Sequence, residues 1–338
     1  MAPMDSVPFF SIIISTRDRP ELFETALRSV LDQSFSKKEI IVVIDGSSES
    51  NLALYAQLKM KYQDVVFLEL EHRPNGHGQS YTMNYGAFKS TGQYLCFLDD
   101  DDYWIDDNYL TRLFASITAS ERPVDVHYSN QNAVFADGTV RHDNIWIQDL
   151  IPRVKSQVEN REDSYFVDMD FLLSSNGFAH VNCSAFNREF YFSIGGMDEG
   201  IRYENDRDIY IRSVDAAKVI LYSTRFMSQH NVPDVTKKSN LSTVSSEIVN
   251  KIYQLRVYDK GISMSNNARV AQACIKGKVY EQKHAATILS KGKQYRGAAH
   301  FAKEALFSGF NFRWLVYTLY LIVRAQFERG DNPRDRSQ

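Results

Sequence analysis

Cysteine is scarce: Cys96, Cys183 and Cys274 lie far apart, with no CxxC spacing and no framework that could pair. This excludes a disulfide scaffold and a structural zinc site, and it points to a reducing compartment. Charge of one sign is not in excess either. With 39 basic against 42 acidic residues the chain carries −3, which gives no footprint of a general nucleic-acid binder. Long apolar runs are missing. Trp314 to Val323 is the longest, roughly half of the ~20 residues that a membrane crossing needs. Met1 to Phe10 shows no basic segment ahead of an apolar stretch of signal length. The expectation is a cytoplasmic protein, with peripheral contact at the inner face of the cell membrane as its only membrane option. Tryptophan is also rare, at 3 residues, but Tyr (19) and Phe (21) bring aromatics to 13%, a composition suited to gripping flat, partly polar ligands. At 43% apolar and 24% charged over 338 residues, disorder and low complexity are excluded and a sizeable core is affordable.

What is present is a strand–helix alternation. Phe9 to Ile14 and Glu39 to Ile44 are continuous apolar runs, as strands buried on both faces require. Between them Pro20 opens a helical pattern through Phe23, Ala26, Leu27 and Val30. A helix over 51–62, a strand from Val65 to Leu70, a helix over 79–90 and a strand from Gln93 to Leu98 follow. The expected fold is a mostly parallel α/β sheet flanked by helices on both faces. Further strands are expected at Val124 to Tyr128, Val134-Phe135 and Val181 to Phe186. The polar stretch Pro233 to Ser246 reads as a boundary or mobile loop, residues 247–329 as helices, and the last eight residues as frayed. The expected division is a catalytic domain over 1–235 and a mostly helical extension over 236–338.

In parallel sheets functional groups gather beyond the carboxyl ends of the strands. Three polar clusters fall there: Ser15-Thr16-Arg17-Asp18, Asp45-Gly46-Ser47, and Asp99 to Asp102. Four successive aspartates at a strand end cost stability unless a cation or donor groups compensate. Mg²⁺ or Mn²⁺ suits them, taking one or two carboxylates and leaving its other positions to phosphate oxygens and water. A solvated acidic loop at a helix N-terminus is the plainer alternative. For Asp45 the choice lies between an Asx-turn or helix cap and a carboxylate that accepts a nucleobase N–H.

Four motifs then stand in order: Ile12 to Arg19, Val42 to Ser48, Asn75-Gly76 through Asn84-Tyr85-Gly86-Ala87, and Phe97 to Asp102. A fifth is Gly195-Gly196-Met197-Asp198-Glu199, followed by Glu204-Asn205-Asp206-Arg207-Asp208 and on to Arg212. Their order and spacing resemble family 2 glycosyltransferases, inverting enzymes of GT-A fold that use nucleotide-diphosphate sugars. The resemblance spans roughly 8–235. It implies that Ser15, Thr16, Arg17 and Asp45 frame the nucleoside, with uridine favoured by an aspartate facing the imide. It places Asn84 among the nucleotide-sugar residues and Asp100 at the ribose. Asp99 and Asp101 become the metal ligands of a DXD motif, with His230 completing the shell of Mn²⁺ or Mg²⁺. Asp206 becomes the general base. Asn205 stands where the family usually has glutamate, so Glu204 and Asp208 remain rivals for that role.

Around these, His180 is a candidate for the acceptor pocket, His72 and His77 for the donor loop, and Arg73 for the diphosphate. The segment from Phe310 to Arg324 mixes aromatics with arginines. It reads as a core or oligomer-interface helix, or as a helix on a membrane surface near a lipid-linked acceptor. The implied function is metal-dependent inverting sugar transfer to a glycan or glycoconjugate, in surface polysaccharide synthesis, with no nucleic-acid partner. A nucleotidyltransferase and a non-catalytic sugar-nucleotide-binding protein are the alternatives.

Overall fold

Successive residues of a strand face opposite sides of a sheet, and the run Ile12-Ile13-Ile14 shows what that means here. Ile12 and Ile14 enter one apolar layer with Phe23, Ala26, Leu27 and Tyr55, whereas Ile13 enters the other with Met83, Ala87 and Phe97. All three isoleucines are fully buried, so both faces of the strand are covered by helices. The computed structural model describes residues 7–141, 146–232 and 246–328. The chain separates into two compact units, Met1–Lys238 and Ser239–Gln338.

The first unit opens with β1 (Phe10–Thr16), α1 (Pro20–Leu31), β2 (Lys38–Ile44), α2 (Glu49–Lys61), β3 (Val66–Glu69), α3 (Gln79–Lys89) and β4 (Tyr94–Asp99). There follow β5 (Tyr103–Trp104), α4 (Tyr109–Thr118), β6 (Val126–Val134), β7 (Val158–Glu159), β8 (Ser164–Val167) and α5 (Met169–Leu173). The unit closes with β9 (Ser184–Asn187), α6 (Arg188–Ser193), α7 (Asn205–Ala216) and β10 (Ile220–Asn231). The strands form one sheet in the order β3-β2-β1-β4-β9-β6-β10-β8-β7, with β5 also paired to β10.

The half built from β1 to β4 is parallel throughout. Beyond β4 the sheet is mixed: β9 runs antiparallel to both β4 and β6, β6 and β10 are parallel, and β8 and β5 are antiparallel to β10. The expectation of a mostly parallel sheet therefore holds for the first half alone. Gly86 makes the close packing of α3 on β1 possible, because a Cβ there would meet Ile13 Cγ2 at 2.5 Å.

Three local readings are corrected. The runs at 124–128 and 134 belong to one strand, β6, whose middle residues Ser129, Asn130 and Gln131 are polar yet buried. Ser129 and Asn130 donate to the Cys183 and Ser223 carbonyls, so the strand keeps its path without an apolar pattern. Val181 to Cys183 is a 3₁₀ turn rather than strand, capped by His180, whose Nδ1 accepts from the Asn182 amide. β10 went unforeseen because its second half is polar and its register with β6 shifts between Tyr222 and Ser228.

The second unit contains α8 (Glu247–Met264), α9 (Ala268–Lys291), α10 (Tyr295–Ser308) and α11 (Phe312–Gln326). Three-residue links join them, and each packs on the next. Ala286, Leu289, Ala298, Ala302 and Leu321 form its core. The expected loop at 233–246 and the last eight residues lie outside the described residues, except Ser246.

Candidate active site

The carboxyl ends of β1, β4 and β10 converge on the aspartate run. Asp99 is the last residue of β4; its amide donates to Asn182 Oδ1 at 3.0 Å, and its carboxylate accepts from Gln79 Nε2. Asp100 turns inward, accepting from Thr16 Oγ1 at 2.8 Å and pairing with Arg19 Nη2 at 2.9 Å. Arg19 spans two aspartates, since its Nη1 reaches Asp101 Oδ2, also at 2.9 Å. Asp102 is held on three sides: Asn182 Nδ2 and the Asn231 amide donate to it at 2.6 and 2.8 Å, and His230 Nδ1 lies at 2.8 Å. Carboxylate oxygens of Asp99, Asp101 and Asp102 all lie within 4.8 Å of one another.

So much buried negative charge shifts these groups. Burial, then the charges of Asp102, Asp101 and Asp100, holds the Asp99 carboxyl well above the usual range. Burial lifts Asp100 to about 7 against the opposing pull of Arg19. Burial alone would depress the His230 imidazole; Asp102, Asp101 and Asp99 together override it and hold His230 up at about 9.

The donor set fits a divalent cation. Asp99 and Asp101 are carboxylates at a strand end, and an imidazole that gives one nitrogen to a carboxylate is oriented to offer the other to a metal. Asp102 and His230 are such a pair, and the carboxylates of Asp99, Asp101 and Asp102 are close enough together to share an ion. Two carboxylates with one imidazole suit Mn²⁺, and oxygen-rich sets suit Mg²⁺.

Across from this cluster, α7 brings in the base candidates. Its first turn follows Glu204, which adopts a left-handed φ of 60°. Glu204 pairs with Arg207, whose guanidinium stacks on Phe178 with 4.2 Å to the ring centroid. Asp208 is bound by Arg212 through both Nε and Nη2, at 2.9 and 2.6 Å. Asp206 differs: Oδ1 accepts its neighbour's amide, Arg207 N–H, at 2.8 Å, while Oδ2 faces His180 Nε2 at 3.4 Å. The same His180 nitrogen is 3.8 Å from Asp99 Oδ2. Burial and then the nearby Glu204 charge raise Asp206 to about 7, the region where a carboxylate can both accept and release a proton near neutrality. His180 is pushed down to about 3 by burial and by His230, so it is neutral. Trp146 stands edge-on to both histidine rings, 6.0 Å from His180 and 5.5 Å from His230.

The β2 end forms a second pocket wall. Asp45 accepts the amides of His77 and Gly78 at 2.8 and 3.0 Å, so it ties down the 75–78 turn. Arg17 donates to the Arg73 and Pro74 carbonyls from one side of that turn, and Arg202 to those of Asn75 and His77 from the other. Asp18 caps α2, accepting the Ser48 amide at 2.7 Å.

Some expected residues do other work. Ser15 and Thr16 point to opposite faces, Ser15 to Thr82 and Thr16 to Tyr55 and Asp100. Asn84 is spent on the loop before α7: it donates to the Met197 carbonyl and Glu199, and accepts from the Met197 amide and the Tyr191 hydroxyl. Gly196 leaves room for this clamp, because its φ is +61° and a Cβ would meet Asn84 Oδ1 at 2.7 Å. Asn84 is thus a structural clamp rather than a donor contact. Arg19, Asn182 and Trp146 carried no role in the sequence reading, and Asp102 entered it only as the last of the four aspartates. Arg19 closes the first motif and Asn182 lies near His180, while nothing marked Trp146.

The comparisons agree with this architecture. A curated relative from Campylobacter jejuni, a GalNAc(5)-diNAcBac-PP-undecaprenol β-1,3-glucosyltransferase, is 34% identical over 98 residues, 28% of this chain. The chain spans 30% of that relative's length. The S. aureus TarS 1–349 structure with UDP-GlcNAc superposes with a TM-score of 0.63 at 14% identity, covering 94% of this chain and 88% of that one. The mannosyltransferase PcManGT of Pyrobaculum calidifontis, with GDP-Man and Mn²⁺, gives 0.56 at 17% identity, covering 96% and 88%. Both share the GT-A fold with its α/β sheet and helical C-terminal region. Residues 11–194, more than half of the chain, match the profile of Glycosyl transferase family 2, and the chain belongs to that family of glycosyltransferases.

Proposed function

We propose that this chain moves the sugar of a nucleoside diphosphate sugar, a UDP-sugar in first place, to a hydroxyl of a glycan or lipid-linked glycan with inversion at the anomeric carbon. The observation that carries this is one imidazole edge: His180 Nε2 lies between Asp99, at the diphosphate end, and Asp206, at the acceptor end. The β1 loop around Ser15 to Arg17, together with Asp45 and the turn it holds, frames the nucleoside. UDP is favoured because a carboxylate at Asp45 suits a uracil imide and because a UDP-GlcNAc complex is among the structural neighbours. A divalent cation on Asp99, Asp101 and His230 would neutralise charge on the diphosphate.

Asp206 takes the proton of the acceptor hydroxyl while that oxygen attacks the anomeric carbon from the face opposite the leaving group. The new carbon–oxygen bond forms as the bond to the β-phosphate breaks, and the nucleoside diphosphate departs. Glu204 and Asp208 are committed to Arg207 and Arg212, which favours Asp206 as the base. A lipid-linked acceptor would place the work at the inner face of the cell membrane, in surface polysaccharide synthesis. The test is a screen of UDP-glucose, UDP-GlcNAc and GDP-mannose with Mn²⁺ or Mg²⁺, following release of the nucleoside diphosphate. Release of UDP that requires the cation supports the reading. A preference for GDP-mannose overturns the uridine assignment, and release without added or bound cation overturns the metal.

A further inference from the structure

The two units of this chain carry opposite charge. Residues 1–238 contain 23 Lys and Arg against 35 Asp and Glu, a net −12; residues 239–338 contain 16 against 7, a net +9. The overall −3 conceals this division.

The basic unit also exposes an apolar face. Phe307, Phe310 and Phe312, at the corner between α10 and α11, are 86%, 74% and 70% exposed. Val316, Leu319 and Val323 continue from Phe312 along α11, all more than half exposed. The spacing 312, 316, 319, 323 lays them in one stripe. The opposite face of α11 is committed to the unit's own core: Leu321 and Thr318 are buried, and Trp314 Nε1 donates to the Ala302 carbonyl at 3.0 Å. Exposed Arg313 and Arg324 border the stripe, and no acidic residue occurs from Asn311 to Phe327.

We infer that this face lies on an anionic lipid bilayer, with the three phenylalanines entering the acyl boundary and the arginines at headgroup level. A contiguous apolar patch of this kind calls for an occupant, and the charge selects which one. A second copy would set one +9 unit against another, while a nucleic acid offers the aliphatic stripe nothing to pack on. An anionic bilayer satisfies both features. Among the described residues no helix is long and apolar enough to cross a membrane, so α11 lies along the surface. The surface does not depend on the transfer chemistry proposed above.

The experiment is flotation of the full chain with phosphatidylcholine vesicles and with mixed phosphatidylcholine–phosphatidylglycerol vesicles, at low and high salt. Binding to the anionic vesicles that weakens with salt is expected. Phe310→Ser with Phe312→Ser should weaken it by roughly tenfold or more, and Arg313→Gln with Arg324→Gln by roughly ten- to thirtyfold. Both double variants should release nucleoside diphosphate from the donor as the wild type does, which shows that they fold and separates this test from that of the transferase reading. Absence of vesicle binding, or equal binding to neutral vesicles, overturns the inference. So does a lipid-independent dimer, seen by sedimentation, that the phenylalanine variant abolishes, because the face then belongs to a second copy.

Discussion

His180 points Nε2 at Asp206 Oδ2 across 3.4 Å, and its tautomer follows from the other nitrogen. The Asn182 amide donates to Nδ1, so the proton sits on Nε2, facing the carboxylate. A neutral imidazole in this place steadies the ionised base without adding positive charge. His180→Ala should therefore lower kcat by roughly tenfold, toward the value of a lost hydrogen bond to a charged group. It should also move the acid limb of the pH–rate profile upward, while the donor KM stays within a few-fold. His180→Gln, which can present an N–H, should recover part of both. An unmoved pH limb in the alanine variant would leave His180 a packing role only.

Asp206→Asn keeps shape and removes basicity. Transfer should fall by roughly 10²–10⁴ in kcat, the range for a general base, with donor affinity by calorimetry nearly unchanged. Loss of donor affinity instead would move the α7 N-terminus into the nucleotide pocket.

Asp101 and Asp102 separate ligand from orienting group. Asp102→Asn removes the partner of His230 and should weaken metal-dependent UDP binding by roughly ten- to a hundredfold, as orienting partners do. Asp101→Asn removes a ligand and should cost more than that. Titrating Mn²⁺ into each variant with UDP present ranks them; the reverse ranking would exchange their roles.

The β1, β2 and β4 ends were legible because both faces of these strands are covered. Continuous apolar runs such as Ile12 to Ile14 therefore lead straight into polar clusters. The rest of the site depends on contacts that no local pattern carries. Asp102 meets His230 from 128 residues away in the chain. Asn84 looks like a ligand residue by motif, yet all its polar capacity goes to the 197–199 loop and Tyr191. The polar middle of β6 hides a strand because Ser129 and Asn130 satisfy the Cys183 and Ser223 carbonyls rather than forming an apolar face. Asn84→Ala accordingly tests fold rather than function. It should cost about 1–3 kcal/mol by denaturant titration, with UDP affinity within a few-fold.

The last prediction sets activity against stability at one atom pair. Asp206 is held up at about 7 in the folded chain against an ordinary 3.8. Between these values the folded state binds a proton that the unfolded state has released. Stability therefore falls as pH rises through this window, and the cost is complete above the folded value. At about 1.4 kcal/mol per pH unit the contribution is at most about 4 kcal/mol. Over the same window the fraction of ionised base, and with it kcat, rises to a plateau above about pH 7. Asp206→Asn should remove the turnover slope and its own share of the stability slope, leaving that of Asp99 and Asp100: urea unfolding should show the variant more stable than the wild type at pH 8 and nearly equal to it at pH 4, with little turnover at either. A variant less stable than the wild type at pH 8 would mean that the Asp206 charge is compensated in the folded chain, and the raised basicity that the base needs would be absent.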